Sequence, residues 1–135
     1  MNSELIKLNS FNDSRGVLIP INSNEDIPFK IERVFFIKEL DNSFTRGNHA
    51  HFLTKQLLIP IQGECIVSLD NGKYKKDFTL NDHSIGLFQD KMIWGSMNSF
   101  SKDCILLVLA NMHFDKEDYI YDYQEFKKLS SEGVK

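Results

Sequence analysis

Apolar residues gather along this chain in short runs, each closed by a turn signal. Up to residue 110 the pattern predicts a succession of strands: "VLIPI" (17–21), "ERVFFIK" (32–38), "KQLLIPI" (55–61), "ECIVSL" (64–69), "KYKKDFTL" (73–80), "SIGLFQ" (84–89), "MIWGSM" (92–97) and "CILLVLA" (104–110). β-branched and aromatic side chains suit a pleated, half-buried surface. Asn71 and Gly72, inside "LDNGKY" (69–74), predict a hairpin between two of these runs. Pro60 has no N–H to offer a ladder and predicts an edge or a bulge. Many short strands at turn spacing predict an antiparallel sandwich or barrel, an all-β fold.

The tail, "DKEDYIYDYQEFKKLSSEGVK" (115–135), is charged and lacks a sheet pattern. Within it "YQEFKKL" (123–129) predicts a short C-terminal helical segment, and the final residues are expected to fray. No repeat, linker or low-complexity stretch divides the chain. Residues 1–135 therefore read as one domain, long enough to build a core without disulfide or metal staples.

Charge and composition narrow the function. A net charge of −3 gives no basic surface for nucleic acid or a membrane. A small anionic ligand would have to be met by individual arginines. The N-terminus carries no apolar signal-peptide core, and "CILLVLA" is too short to span a bilayer. Cys65 and Cys104 sit inside apolar runs and read as free, buried thiols of a reducing compartment. The expectation is a cytoplasmic protein.

"TRGNHAHF" (45–52) holds two of the four histidines. On a strand, residues two apart share a face, so His49 and His51 project together, about 7 Å apart. Asn48, Ala50 and Phe52 then face the other way, and Gly47 permits a turn or a close approach. Such a pair suits either a metal or proton transfer. A His-x-His strand opens the metal motif of cupin barrels, which continues with a glutamate and a later histidine. Here Gln56 stands at the glutamate's place and Gly95 on the later strand. Two imidazoles and an amide serve a divalent cation poorly, so no metal is expected. Proton transfer asks less, since an imidazole can accept or donate near neutral pH.

"DSRG" (13–16), "PFKIERVFFI" (28–37), "RGNHAHFLTKQLLIPIQGECIVSLDNG" (46–72), "GLFQDKMIWGSM" (86–97), "FSKDCILLVLA" (100–110) and "EDYIYDYQEF" (117–126) resemble the nucleotide-sugar 3,4-ketoisomerases. The blocks run in order over nearly the whole chain. The resemblance implies a cupin-type jelly-roll barrel and a homodimer whose N-terminal strands cross to the partner. It implies no metal and no organic cofactor. The substrate it implies is dTDP-4-keto-6-deoxy-D-glucose, whose carbonyl moves from C4 to C3 through an enediol intermediate. Amination of the product would then lead to 3-amino-3,6-dideoxyhexoses of bacterial surface glycans.

By the same carry-over His51 is the candidate for proton transfer at carbon and His49 for the oxygen side, with the two roles exchangeable. Arg46 would neutralise the diphosphate or the developing enolate. Arg15 would serve the nucleotide end, or simply pair with Asp13. Arg33 would bind ligand or pair structurally. Gln56 would bond a sugar hydroxyl, orient a histidine, or only fill a sheet position. Trp94, Phe35, Phe36 and Phe88 would line the pocket or belong to the core.

The chain departs from this pattern at three places. Phe35 and Phe36 replace a pair of tyrosines, Gly95 and Ser96 follow Trp94 where histidine and glutamate are usual, and Phe52 replaces a lysine. Ser96, His113 or an ordered water would have to fill a vacated role; His83 lies in a turn context. The C4 configuration of the product depends on such groups and stays open. Two rival readings share the barrel: a nucleotide-sugar 3,5-epimerase, and a cupin that binds a nucleotide sugar without turnover.

Overall fold

The computed structural model describes residues 3–132. Twelve strands run through it: β1 (Ser3–Lys7), β2 (Phe11–Asp13), β3 (Gly16–Leu18), β4 (Arg33–Ile37), β5 (Arg46–His51), β6 (Gln56–Gln62), β7 (Cys65–Asp70), β8 (Lys75–Leu80), β9 (Ile85–Gln89), β10 (Trp94–Asn98), β11 (Ile105–Ala110) and β12 (Tyr119–Ile120). A 3₁₀ turn, Lys116–Asp118, leads into β12, and helix α1 (Tyr123–Ser131) follows it. The terminal residues expected to fray, 133–135, lie outside the described part.

The strands form two five-stranded antiparallel sheets, ordered β1-β9-β6-β11-β4 and β12-β5-β10-β7-β8, with β2–β3 as a separate hairpin. This is the expected all-β jelly-roll barrel with a short C-terminal helix. Leu58, Val67, Leu69, Leu87, Leu106 and Val108 fill the space between the sheets. The outer face of the first sheet is covered in turn: Ile27 and Phe29, from the segment between β3 and β4, pack on Leu57, Ile59, Phe88 and Leu109. The outer face of the second lies under α1, where Phe126 meets Ala50, Met92 and Ile120. Central strands buried on both faces need apolar residues at successive positions, which is why "LLIPI" and "ILLVLA" run without alternation.

Helix α1 starts where the sequence places it. Asp122 caps it by accepting the N–H groups of Gln124 and Glu125. The Tyr123 hydroxyl donates to Asp70 Oδ2 at 2.5 Å and ties the helix to β7. Trp94 packs against Tyr123 and Phe126, at centroid separations of 5.2 and 5.8 Å. It therefore belongs to the helix contact rather than to a ligand pocket.

Several local expectations change. The run 17–21 is a strand only to Leu18; Ile19 and Ile21 instead pack on the outer apolar cluster. β1, which the apolar pattern does not announce, pairs along β9. The tail without a sheet pattern supplies β12, a two-residue strand beside β5. The Asn-Gly hairpin is present, with a four-residue loop whose Lys73 and Tyr74 N–H groups donate to Asn71 Oδ1. Pro60 sits at a bulge: Leu106 pairs with Pro60 and Ile105 with Gln62, so Ile61 is skipped. β9 follows β6 only as far as Leu58, so the missing N–H of Pro60 disturbs no ladder on that side.

Cys65 and Cys104 are free and buried, and burial pushes the Cys65 thiol up to about 12. Among the described residues no helix is long and apolar enough to cross a membrane.

Because Phe126 is fully buried and anchors the helix to the second sheet, Phe126→Ala should lower the unfolding free energy by about 3–5 kcal/mol. Urea titration followed by circular dichroism measures this, and a loss below about 1 kcal/mol would contradict the anchoring role.

Candidate functional site

The site begins with a backbone irregularity in β5. His49 pairs with Gly95 and Gly47 with Ser96, which leaves Asn48 without a partner on β10. Gly47 and Asn48 both adopt left-handed backbone, with φ of +84° and +59°. A side chain at Gly47 would place its Cβ 2.9 Å from the Gly95 carbonyl oxygen, so only glycine permits this approach. Such bulges re-aim the next side chain.

Beyond the bulge, His49 and His51 project to one face, as the strand period requires, and Ala50 points the other way into the α1 contact. The rings lean together, with centroids 4.9 Å apart and planes at 88°. His49 Nδ1 lies 3.0 Å from the Gly47 carbonyl oxygen. With the proton on Nδ1, Nε2 is left as the basic nitrogen. His51 is 3% exposed, and its Nε2 is buried with no hydrogen-bond partner.

Both imidazoles are held neutral. Burial lowers the His49 pKa, partly opposed by the Gly47 carbonyl. For His51 burial is the main cause, followed by the neighbouring His49; Asp118 opposes them and Arg33 adds to the lowering, and the result is about 4. A buried group resists the charged form, so these rings enter neutral conditions as bases.

Asp118 shapes the end of β5. Its buried carboxylate accepts the N–H groups of Leu53 and Thr54, at 2.7 and 3.1 Å, and the Thr54 hydroxyl. Its own carbonyl accepts the Phe52 N–H at 2.9 Å. This clamp lays β12 along β5, with Tyr119 opposite His51 and Ile120 opposite Ala50. The Tyr119 ring lies 4.4 Å from His51 and 4.9 Å from His49, and stacks on Tyr121 at 5.4 Å. Asp118 and Tyr119 lie against the histidine pair, and the sequence reading does not single them out. A two-residue strand is too short to show a period, and the one available signal is the alternation of tyrosines in "DYIYDY".

The other candidates divide. Arg33 comes to the site: its guanidinium lies over the Phe35 ring at 4.5 Å and near Phe114 at 5.4 Å, and its charge reaches His51. Gln56 is buried and shares with His49 a cavity of about 20 Å³. Ser96 lines the same cavity. Arg46 is exposed at the start of β5 and makes no ion pair among the described residues. Arg15 lies on the β2–β3 hairpin and pairs with Asp13 at 2.6 Å. His113 is exposed beside Glu32, and His83 lines an apolar cavity on the outer face. Phe36 is exposed on that outer face, while Phe35 packs toward the core. Only one of the two phenylalanines at the usual tyrosine positions therefore turns inward.

Among the described residues no three His, Cys, Asp or Glu side chains converge as a metal-ligand set. The other polar side chains lining the His49 cavity are Gln56, Gln89 and Ser96, none of them a carboxylate.

A jelly-roll barrel with paired neutral imidazoles inside, a guanidinium nearby and phenols at its edge defines a small cupin equipped for acid–base chemistry. Residues 1–131 match the family described as "FdtA: WxcM-like, C-terminal", and the chain belongs to that family. It is 39% identical over 128 residues to the TDP-4-oxo-6-deoxy-alpha-D-glucose-3,4-oxoisomerase of Aneurinibacillus thermoaerophilus, covering 95% of this chain and 92% of that one. It is similar to a His-to-Asn variant of the 3,4-ketoisomerase QdtA from Thermoanaerobacterium thermosaccharolyticum, solved with TDP-4-keto-6-deoxyglucose: TM-score 0.94, 37% identity, 97% of this chain and 95% of that one. It is also similar to WlaRA, a TDP-fucose-3,4-ketoisomerase from Campylobacter jejuni: TM-score 0.91, 40% identity, 96% of each chain.

The environment of the pair sets a titration. In ¹H–¹⁵N spectra of the ring nitrogens His51 should stay neutral on acidification until about pH 4, and His49 should protonate below an ordinary imidazole. A His51 midpoint near 6.5, the usual value, would contradict the buried environment described for it.

Proposed function

We propose that this chain is a sugar-nucleotide 3,4-ketoisomerase that converts TDP-4-keto-6-deoxyglucose to a TDP-3-keto-6-deoxyhexose. The observation that carries this reading is the pair of neutral imidazoles on one interior face, one with a buried, unpartnered Nε2. A 3,4-shift moves protons at adjacent carbons and at their oxygens, and two bases on one face with centroids 4.9 Å apart can serve both kinds of position. His51, the more deeply buried of the two, is assigned the proton on C3, which the C4 ketone acidifies. The enediolate that forms takes a proton at C4 from the His51 imidazolium, whose proton exchanges with solvent. His49 moves the proton between the two oxygens. Arg33 supplies positive charge to the enediolate, Gln56 a hydrogen bond to the sugar, and Arg46 a guanidinium for the diphosphate. The 3-keto product is set for amination, which places the enzyme on a route to amino sugars of bacterial surface glycans. A cytoplasmic setting goes with a nucleotide-linked substrate and two free thiols.

The working unit is assigned as a homodimer with exchanged N-terminal strands. Val34 and Phe36 on β4 are 59% and 62% exposed, beside Leu107 and Leu109 of the outer apolar layer. The same face holds an apolar cavity of about 310 Å³, which Val17 reaches from the hairpin. The β2–β3 hairpin exposes Phe11, Val17 and Leu18, and two strands alone are marginal in water. Among the described residues β4 ends its sheet with no further strand beside it. A second copy would cover this face and give each hairpin a sheet to join. Arg15 would travel with the hairpin, which is how it would come to serve a nucleotide.

Two outcomes are expected. In D₂O without added metal, the protein should convert TDP-4-keto-6-deoxyglucose to a 3-keto product with deuterium at C4, read by NMR. His51→Asn should cut turnover by at least about 10²-fold while keeping its circular dichroism spectrum. Neither product nor exchange from the native protein would overturn the assignment. Separately, sedimentation should give roughly twice the 15.7 kDa chain mass for the native protein and one chain for Phe36→Glu. A native monomer at micromolar concentration would refute the dimer.

A further inference from the structure

We infer that Gln89 contacts the substrate sugar and orients it, from the space that glycine at position 95 opens beside His49. This rests on the ketoisomerase reading for the identity of the ligand, a nucleotide-linked hexose.

Gly95 is the direct cross-strand partner of His49, so a side chain there would share the interior face with the imidazole. None is present, and another group fills the volume. A Cβ built on Gly95 would lie 2.8 Å from Gln89 Nε2 and 3.3 Å from Gln89 Oε1. The amide thus reaches across from β9, in the opposite sheet, into the position a residue 95 side chain would occupy. It is held there: Gln89 is 7% exposed, and Nε2 donates to the Ile93 carbonyl at 3.1 Å.

That bond uses one of the amide's two N–H groups. Among the described residues no further side-chain hydrogen bond of this amide is present, which leaves its second N–H and its carbonyl oxygen open. Gln56 is the β6 neighbour of Gln89 in the register, so two amides stand side by side on the interior face. Together with His49 they line the cavity of about 20 Å³. That is room for one oxygen-sized group. The open hydrogen-bonding capacity of the amide is available to a ligand or water in that cavity. A hexose suits it, because a hydroxyl donates to Oε1 while a keto oxygen accepts from Nε2. A site built around such a bond discriminates strongly among sugars that present the oxygen differently.

The test separates this inference from the reading it rests on. Affinities for TDP and for TDP-6-deoxyglucose, which has no ketone and cannot react, are measured by calorimetry for the native protein and for Gln89→Leu. Sugar contact predicts that Gln89→Leu binds TDP-6-deoxyglucose about 10-fold more weakly, the loss of one good hydrogen bond. TDP alone should bind within about 2-fold of native. Equal weakening of both ligands would reduce Gln89 to a structural residue, and no weakening of either would remove it from the site; each overturns the inference. Failure of the native protein to isomerise a 4-keto sugar would instead sink the ketoisomerase assignment, and the binding comparison would still decide the place of Gln89. If Gln89→Leu does not fold, Gln89→Met, close in volume and without the amide, carries the same comparison.

Discussion

One buried carboxylate holds the active end of this barrel together. Asp118 would be costly to bury alone. It is tolerated because two backbone N–H groups and the Thr54 hydroxyl converge on it. That convergence turns the chain sharply after His51 and lays β12 against β5. Through β12 it brings Tyr119 onto both imidazoles. It also steadies the strand whose outer face, at Ala50, receives the helix. Turn, edge strand and helix contact all follow from the same three hydrogen bonds.

The interior is divided by chemistry. The apolar cluster from Leu58 to Val108 supplies the packing that keeps the two sheets apart and parallel-faced. At the histidine end Gln56 and Gln89 replace hydrocarbon with amides, and Gly47 and Gly95 replace side chains with space. Low exposure there raises the free energy of any charged form, so both imidazoles stay neutral although Asp118 is close. The same enclosure that depresses their basicity strengthens the influence of Arg33 on any negative charge that develops beside them.

The strands with long apolar runs, the Asn-Gly hairpin and the Pro60 bulge were legible because each has a local cause: apolar and β-branched runs, turn geometry, a missing N–H; the helix near 123–129 was legible as the stretch of the tail without a sheet pattern. The histidine pair was legible for the same reason, since a two-residue spacing on a strand fixes a shared face. What stayed hidden depends on partners far along the chain. β12 is two residues long and exists because β5 and Asp118 make a place for it. Gln89 reads as an ordinary strand end until the fold sets it across from Gly95. Phe35 and Phe36 look equivalent in sequence, yet the pleat sends one toward the core and the other to the surface. The reading of 17–21 as a full strand failed because Ile19 and Ile21 bury themselves against an outer layer that the local pattern does not reveal.

The left-handed bulge at Gly47 and Asn48 also bears on how such a barrel diversifies. The backbone that aims His49 is fixed by a glycine pressed against its neighbour's carbonyl, and no ligand is needed to set it. The imidazole pair is therefore held as a rigid unit by the backbone. Residues that face it from the other sheet, such as Phe35, Gln56 and Gln89, carry no comparable backbone duty toward the pair. Side chains at such positions can be exchanged while the imidazoles keep their places, because the bulge that aims the pair lies in the backbone of β5 itself.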